Sequence, residues 1–282
     1  MNRVLRSLLF VPGHRADRFE KALDAGADAV VVDLEDAVPP SAKEQARVAV
    51  AAWLDSSPLA SSRVKTASAP PPRLFVRING ADSTWFQDDL SLAGTAALDA
   101  VMIPKAEGGD VLDRVRAAGA RAMVPLIETA AGFACIREIA GAPGVERLAF
   151  GTIDFQVDLG MRDASEDDLL PFRTQFVLAS RLASIGAPVD GVSTAIDDAE
   201  RLADDVHRAR RLGFGGKLCI HPRQVTQVNA LFAPNEAEVA WARRVLQAAE
   251  PAGGAAVAVD GKMVDKPVML RAESILREAG QR

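Results

Sequence analysis

Glu128 stands where a carboxylate is costly. In "VPLIETAAGF" (124–133) the apolar run Val124 to Ile127 ends abruptly in that acid and then in small residues. A carboxylate closing a buried strand loses its hydration unless something positive meets it. Asp154 has the same placement at the end of the next apolar run, "RLAFGTIDF" (147–155). Carboxylates ending adjacent strands can converge on one point, where two unpaired charges repel and one takes up a proton. A divalent cation removes that conflict. Carboxylate ligands without cysteine or paired histidine favour a hard ion, Mg²⁺ or Mn²⁺, and Mg²⁺ keeps positions open for water and substrate. The pattern predicts a metal site made of Glu128 and Asp154. The rival reading pairs Glu128 with Arg77 or Lys105 and needs no metal. Arg77, in "FVRING", suits a substrate carboxylate or a developing enolate oxygen. Glu35 and Asp36 are the acids expected to orient it.

Other polar residues fall at the ends of apolar runs in the same way. Asp33, Glu35 and Asp36 end one, Arg77 and Asn79 another, Lys105 and Glu107 a third, and His221 the last. Any one of them could be a helix cap or a local ion pair. Polar groups at six strand ends together point to a shared mouth.

The elements that must carry these residues are short. Eight β-rich runs recur, at 7–12, 29–36, 74–79, 100–107, 122–129, 147–155, 188–193 and 217–222. Several are apolar without alternation, as parallel strands covered on both faces are. Helical patterns lie between them. "RADRFEKALDAG" ends in a glycine stop, "SAKEQARVAVAAWL" opens with Ser41-x-x-Glu44 in capping-box spacing, and "DDAERLADDVHRARRLG" closes on arginine and glycine. Eight strand–helix units predict an α/β fold, a (β/α)8 TIM barrel over 1–225 with a C-terminal helical extension over 226–282. An open doubly wound sheet is less suited, because no GxGxxG follows an early strand. The Ser-, Ala- and Pro-rich stretch 55–73 reads as a surface loop on the barrel face away from the chemistry. The extension reads as a helix around 235–249, a turn-like "GGAAVAVDGKMV", and a last helix from about Pro267. It could fold over its own barrel or reach a neighbouring subunit.

Composition narrows the class. The chain has 282 residues, 49% hydrophobic and 25% charged, with a net charge of −5. No basic block marks a nucleic-acid binder, and no run approaches the ~20 apolar residues of a membrane span. A local basic patch for a phosphorylated cofactor is still allowed. Cys135 and Cys219 show no CxxC spacing and read as reduced, buried thiols of a cytoplasmic protein.

The motifs "RSLLFVPGHRADRFEKA", "DLEDAV", "VRING", "PKAE", "LIETAAGF", "FGTIDF" and "GKLCIHPRQV" occur in that order between Arg6 and Val225. Together they resemble the citrate lyase beta-chain and malyl-CoA lyase family. The resemblance implies a Mg²⁺-dependent (β/α)8 barrel that cleaves or forms a carbon–carbon bond between a CoA-thioester enolate and a 2-oxo acid. It carries the family's metal ligands onto Glu128 and Asp154 and its substrate-binding arginine onto Arg77. It assigns Phe10, Arg15 and Lys21 to a coenzyme A site, although Arg15 and Lys21 could equally form a solvated helix face. It sets Ile220, His221 and Pro222 beside the substrate. "GKMVDKP" in the tail matches a lyase stretch whose aspartate, here Asp265, enters a neighbour's site as acid or base. A homotrimer or homohexamer is implied.

Such a site would chelate a 3-hydroxyacyl-CoA bearing a carboxylate on C3, such as malyl-, citramalyl- or citryl-CoA. The metal would lower the hydroxyl pKa, Arg77 would stabilise the enolate, and Asp265 would protonate it. Rival readings are a class II-type aldolase acting on free 2-oxo acids, the beta subunit of a citrate lyase complex, and a binding protein with a degenerate site. Lys105 is read as salt-bridged or solvated, not as a Schiff-base lysine.

Overall fold

The computed structural model describes residues 4–56, 71–250 and 256–280. Eight parallel strands close on themselves in chain order: β1 Ser7–Pro12, β2 Ala29–Asp33, β3 Arg73–Arg77, β4 Ala100–Ile103, β5 Met123–Ile127, β6 Ala149–Phe150, β7 Val189–Asp190 and β8 Gly216–Cys219. The barrel shuts where Leu8 of β1 pairs with Leu218 of β8. β2, "AVVVD", is buried throughout, as a strand with helices on one face and a barrel interior on the other must be. The interior takes alternate residues: Leu8, Ala29, Val31, Phe75, Ala100, Met102, Val124, Leu126, Ala149, Val189 and Leu218 form one cluster. Ala100 stands beside Phe75 in the β3–β4 register, a small side chain next to a large one. Phe75→Ala would cost ~3–5 kcal/mol there.

The strands are shorter than the apolar runs. "RLAFGTIDF" supplies only Ala149 and Phe150; after Gly151 the helix Thr152–Asp158 begins. Asp154 therefore sits in the first turn of a helix and not at a strand end. Glu35 and Asp36 follow β2, Glu128 follows β5, and Arg77 is the last residue of β3. All remain on the C-terminal side of the barrel.

Among the helices, Ala199–Leu212 ends at Gly213 and is N-capped by Asp198, whose carboxylate accepts from Arg201 N at 2.9 Å. The helix Lys43–Ser56 starts after a tight turn, Pro40–Ala42, so Ser41 stands inside that turn instead of capping the helix. Asp55 and Ser56 end that helix and Arg73 begins β3, while 57–70 of the expected surface loop lie outside the described residues. Cys219 is buried, and burial pushes its thiol up to about 12. Cys135 is only half-buried, contrary to expectation, because it sits at the junction of two short helices, Ala130–Ala134 and Ile136–Gly141.

By its contacts the chain forms two compact units, one spanning Leu5–Asn229 and one joining Val4 to the chain from Ala230 onward. The second has its own core of Ala242, Val245, Val264, Ala272 and Ile275. Its helices are Glu236–Ala249, with Asn235 and Glu238 forming a capping box, and Lys266–Ala279. The stretch expected to be turn-like holds a hairpin, β9 Val257–Val259 and β10 Lys262–Val264, paired antiparallel. Asp260 and Gly261 take φ of 50° and 73° between them, the Asp-Gly turn that matches strand twist. Among the described residues no helix is long and apolar enough to cross a membrane.

Candidate active site

A cavity of about 380 Å³ opens at the C-terminal ends of the strands. Asp33, Asp36, Arg77, Glu128 and Asp154 give it polar walls, and Phe10, Leu126, Phe150, Val192, Leu218 and Ile220 give it apolar ones. The two carboxylates expected to share a metal and the arginine expected to meet substrate thus line one space.

Local sequence explains how Glu128 comes to face it. β5 runs inward-outward to Ile127, Glu128 follows, and Thr129 caps the next helix by accepting from Gly132 N at 3.1 Å. The cap stops the strand with the acid at its inner rim. Glu128 is 1% exposed. Its Oε1 accepts from the main-chain N–H of Lys105 at 2.8 Å. Burial first, and then the nearby Glu35 charge, push its carboxyl up to about 8, against the opposing pull of Arg77. Neither Arg77 nor Lys105 forms a side-chain ion pair with Glu128; their side chains pair with Asp33, Glu35 and Asp36 instead.

Arg77 is held on three sides. Its Nε donates to Asp33 Oδ1 at 2.7 Å and its Nη2 to Asp33 Oδ2 at 2.6 Å. Its Nη1 meets Glu35 Oε2 at 2.8 Å and Asp36 Oδ2 at 3.4 Å. The guanidinium lies 4.9 Å from the centre of the Phe10 ring. Burial works against its charge, but Asp33 and Glu35 outweigh that and hold it above the ordinary arginine range. Glu35 and Asp36 do orient the arginine; the fork-to-fork partner is Asp33, which sequence reasoning placed at the mouth without pairing it. Asp33 and Arg77 stand opposite each other in the β2–β3 register, a relation no single strand's sequence displays.

Lys43 was also missed. It opens a helix and reads as surface, yet it is 6% exposed. Its Nζ donates to the Leu34 and Glu35 carbonyls at 2.8 and 2.7 Å and to Asn79 Oδ1 at 2.6 Å. Asn79 in turn donates to Asp89 at 2.6 Å. This brace fixes the loop that carries Glu35 and Asp36. Burial lowers the Lys43 pKa, partly offset by the facing acids.

Other expected residues are placed differently. Ile220 lines the cavity, but His221 does not: its Nδ1 accepts from Arg223 N at 3.2 Å, a local turn at the start of the helix Pro222–Phe232. Arg15 precedes the first turn Ala16–Arg18 instead of lying on a helix with Lys21. It pairs with Asp17 at 2.8 Å, while Lys21 is exposed in the helix Phe19–Leu23. Glu107 accepts from Thr129 Oγ1 at 2.8 Å. Asp265 caps Lys266–Ala279 by accepting from Val268 N at 3.3 Å.

The donor set fits a hard divalent cation. Glu128 and Asp154 share one cavity wall with Asp33, Asp36 and Arg77, and Asp33 is already paired with the arginine. A buried carboxyl held near 8 is a group that a cation would relieve. Gly151 leaves room for the Glu128 carboxylate, since a Cβ there would clash with Glu128 Oε2. Among the described residues no three His, Cys, Asp or Glu side chains converge as a complete metal cage. Two carboxylates with open positions are a pattern Mg²⁺ accepts.

The profile of the HpcH/HpaI aldolase/citrate lyase family matches residues 6–222. The chain belongs to that family. A second profile, for a carbon–carbon bond lyase of the TIM-barrel fold, matches residues 174–281. The chain is 40% identical to a citrate lyase subunit beta-like protein of Deinococcus radiodurans, over 97% of this chain and 96% of the relative. It is 34% identical to a (3S)-malyl-CoA thioesterase of Cereibacter sphaeroides, over 97% and 94%. Among solved structures it is similar to the CitE protein of Mycobacterium tuberculosis in complex with magnesium, acetoacetate and coenzyme A. There the TM-score is 0.82 and the identity 35%, with 98% of each chain covered. By family the chain is a carbon–carbon lyase.

Proposed function

We propose that this protein is a Mg²⁺-dependent lyase that cleaves, or forms, a 3-hydroxyacyl-CoA carrying a carboxylate on C3, giving an acyl-CoA and a 2-oxo acid. The observation that carries this reading is the cavity wall shared by Glu128, Asp154 and Arg77. Glu128 and Asp154 would hold the metal, which could also be Mn²⁺. When bound, the metal polarises the substrate's hydroxyl and carboxylate oxygens and lowers the hydroxyl pKa. Arg77, fixed by Asp33 and Glu35, offers its positive charge to the thioester enolate left when the C2–C3 bond breaks. Phe10, Leu126, Phe150 and Leu218 exclude water from that carbanion. Asp265 is the candidate acid, donated by another subunit of a homotrimer or homohexamer; this rests on resemblance. Phe10, Arg15 and Lys21 are the candidate contacts to coenzyme A. Phe10 on the cavity wall favours that role, whereas the Arg15–Asp17 pair must open for Arg15 to take it.

Structures of similar proteins support the ligand classes: the CitE complex named above, and a citrate lyase beta subunit of M. tuberculosis complexed with oxaloacetate and magnesium. A second reading, thioester hydrolysis, is favoured by the relative named (3S)-malyl-CoA thioesterase. The two give different products from one substrate. A mass-spectrometric screen over malyl-, methylmalyl-, citramalyl- and citryl-CoA separates them: the lyase yields an acyl-CoA plus a 2-oxo acid, the thioesterase a free hydroxy acid plus CoA. Cleavage only of citryl groups on an acyl carrier would instead indicate a citrate lyase subunit, and activity on free 2-oxo acids alone an aldolase.

A further inference from the structure

Lys105 follows β4 in the left-handed backbone region, with φ of 45°, a conformation that disfavours a side chain with a Cβ. The conformation has a consequence. It aims the main-chain N–H of Lys105 at Glu128 Oε1, 2.8 Å away. The next residue anchors the turn, since Ala106 N donates to Leu126 O of β5 at 3.3 Å. The side chain turns the other way and its Nζ donates to Glu35 Oε1 at 2.7 Å. The second oxygen of that carboxylate holds Arg77 Nη1 at 2.8 Å. Lys105 does not itself line the cavity.

We propose that Lys105 is a positioning residue that sets both charged partners of the reaction, Glu128 through its main chain and Arg77 through the ammonium–Glu35 bridge. The proposal rests on the reading of this cavity as the reaction site. Without the ammonium, Glu35 would have only Arg77 as a side-chain cation partner, and its carboxylate could rotate toward the cavity or drag the guanidinium with it. The main-chain bond to Glu128 would survive, because any residue but proline supplies that N–H. Loss of the side chain should therefore disturb Arg77 and spare the metal carboxylate, a split that general destabilisation does not produce.

Three variants test this: Lys105→Met, which keeps the length and backbone but not the charge; Lys105→Gly, which suits the left-handed backbone; and Lys105→Arg, which restores a cation. The first measurement needs no turnover. In side-chain ¹⁵N spectra of arginine-labelled protein, with Arg77 assigned by its loss in Arg77→Lys, the guanidinium signals should shift in Lys105→Met and Lys105→Gly and return toward wild type in Lys105→Arg. Calorimetric Mg²⁺ affinity should stay within ~3-fold of wild type in all three, while kcat for the thioester falls ~10–100-fold in the Met and Gly variants and recovers in the Arg variant. Lys105→Gly should melt above Lys105→Met, because glycine relieves the backbone strain. Unchanged Arg77 signals in Lys105→Met would overturn the proposal, and so would a lowered melting temperature with kcat intact. If the wild type cleaves no thioester, the functional reading fails by itself, and the Arg77 signals with the Mg²⁺ titration still decide the role of Lys105.

Discussion

Gly151→Ala is the smallest change that should dismantle the proposed metal site. A Cβ at 151 would clash with Glu128 Oε2 and come within 2.5 Å of Glu128 Cβ, against an ordinary contact distance of 3.4 Å or more. The carboxylate must therefore retreat by about 1 Å, a displacement that typically costs ~10²-fold in rate at an active site. A new rotamer can move Oε2 but not Cβ, so the chain after β5 or before the helix Thr152–Asp158 must also shift. Overpacking of that kind costs ~1–3 kcal/mol, and in a domain of this size each kcal/mol lowers Tm by ~2–4 °C. The assay has three parts: calorimetric Mg²⁺ titration, kcat, and a melting curve. Weaker Mg²⁺ binding by ~10-fold or more is expected, with kcat down ~10²-fold and Tm down by several degrees. Gly141→Ala is the control, since a Cβ there meets nothing within 4 Å. Wild-type Mg²⁺ affinity in Gly151→Ala, with kcat unchanged, would refute the assignment of Glu128 as a ligand.

Other consequences follow from the same geometry. With its carboxyl held near 8 in the metal-free protein, Glu128 should release a proton when Mg²⁺ binds at pH 7 and almost none at pH 9.5, which calorimetry in buffers of different ionisation enthalpy would read directly. Because that folded-state value lies above an ordinary carboxylate's, the protonated form stabilises the metal-free fold, fully at low pH and no longer once pH rises through about 8. Metal-free wild type should accordingly lose melting temperature between about pH 4.5 and 8 and level off above that, and Glu128→Gln should flatten that slope. Arg77→Lys should lower kcat/KM by ~10²-fold even though charge is kept, because an ammonium cannot replace the two-pronged pairing with Asp33. Asp265→Asn should preserve stability, asparagine being as good a helix cap, yet reduce kcat strongly; mixing it with Glu128→Gln subunits should restore activity if the aspartate crosses between chains.

Much of this site could be read from the order of residues. Uninterrupted apolar runs gave away parallel strands covered on both sides, and the acids and bases that end them had to gather at one barrel face. What stayed hidden depends on partners far apart in the chain. Asp33 grips Arg77 because β2 and β3 pair in a register that neither run reveals. Lys43 looks like any exposed helix start, and only the fold carries its ammonium to the Glu35 carbonyl and Asn79. The run holding Asp154 kept its apolar character across Gly151, so strand and helix read as one element. Val-Asp-Gly-Lys at 259–262 did carry a hairpin signal, but its flanking strands are only three residues each and do not show a clear alternation.

If Glu128 and Asp154 hold a divalent cation that carbon–carbon cleavage requires, stripping the metal should abolish turnover. The test is a single-turnover reaction of metal-stripped protein with whichever thioester the substrate screen shows the metal-loaded wild type to cleave, followed by mass spectrometry before and after Mg²⁺ is added, with Glu128→Gln run alongside. Without metal no reaction is expected; once Mg²⁺ is present an acyl-CoA and a 2-oxo acid should appear in equal amounts, and neither product should come from Glu128→Gln. Equal cleavage in the metal-stripped protein, or undiminished cleavage by Glu128→Gln, would contradict that requirement.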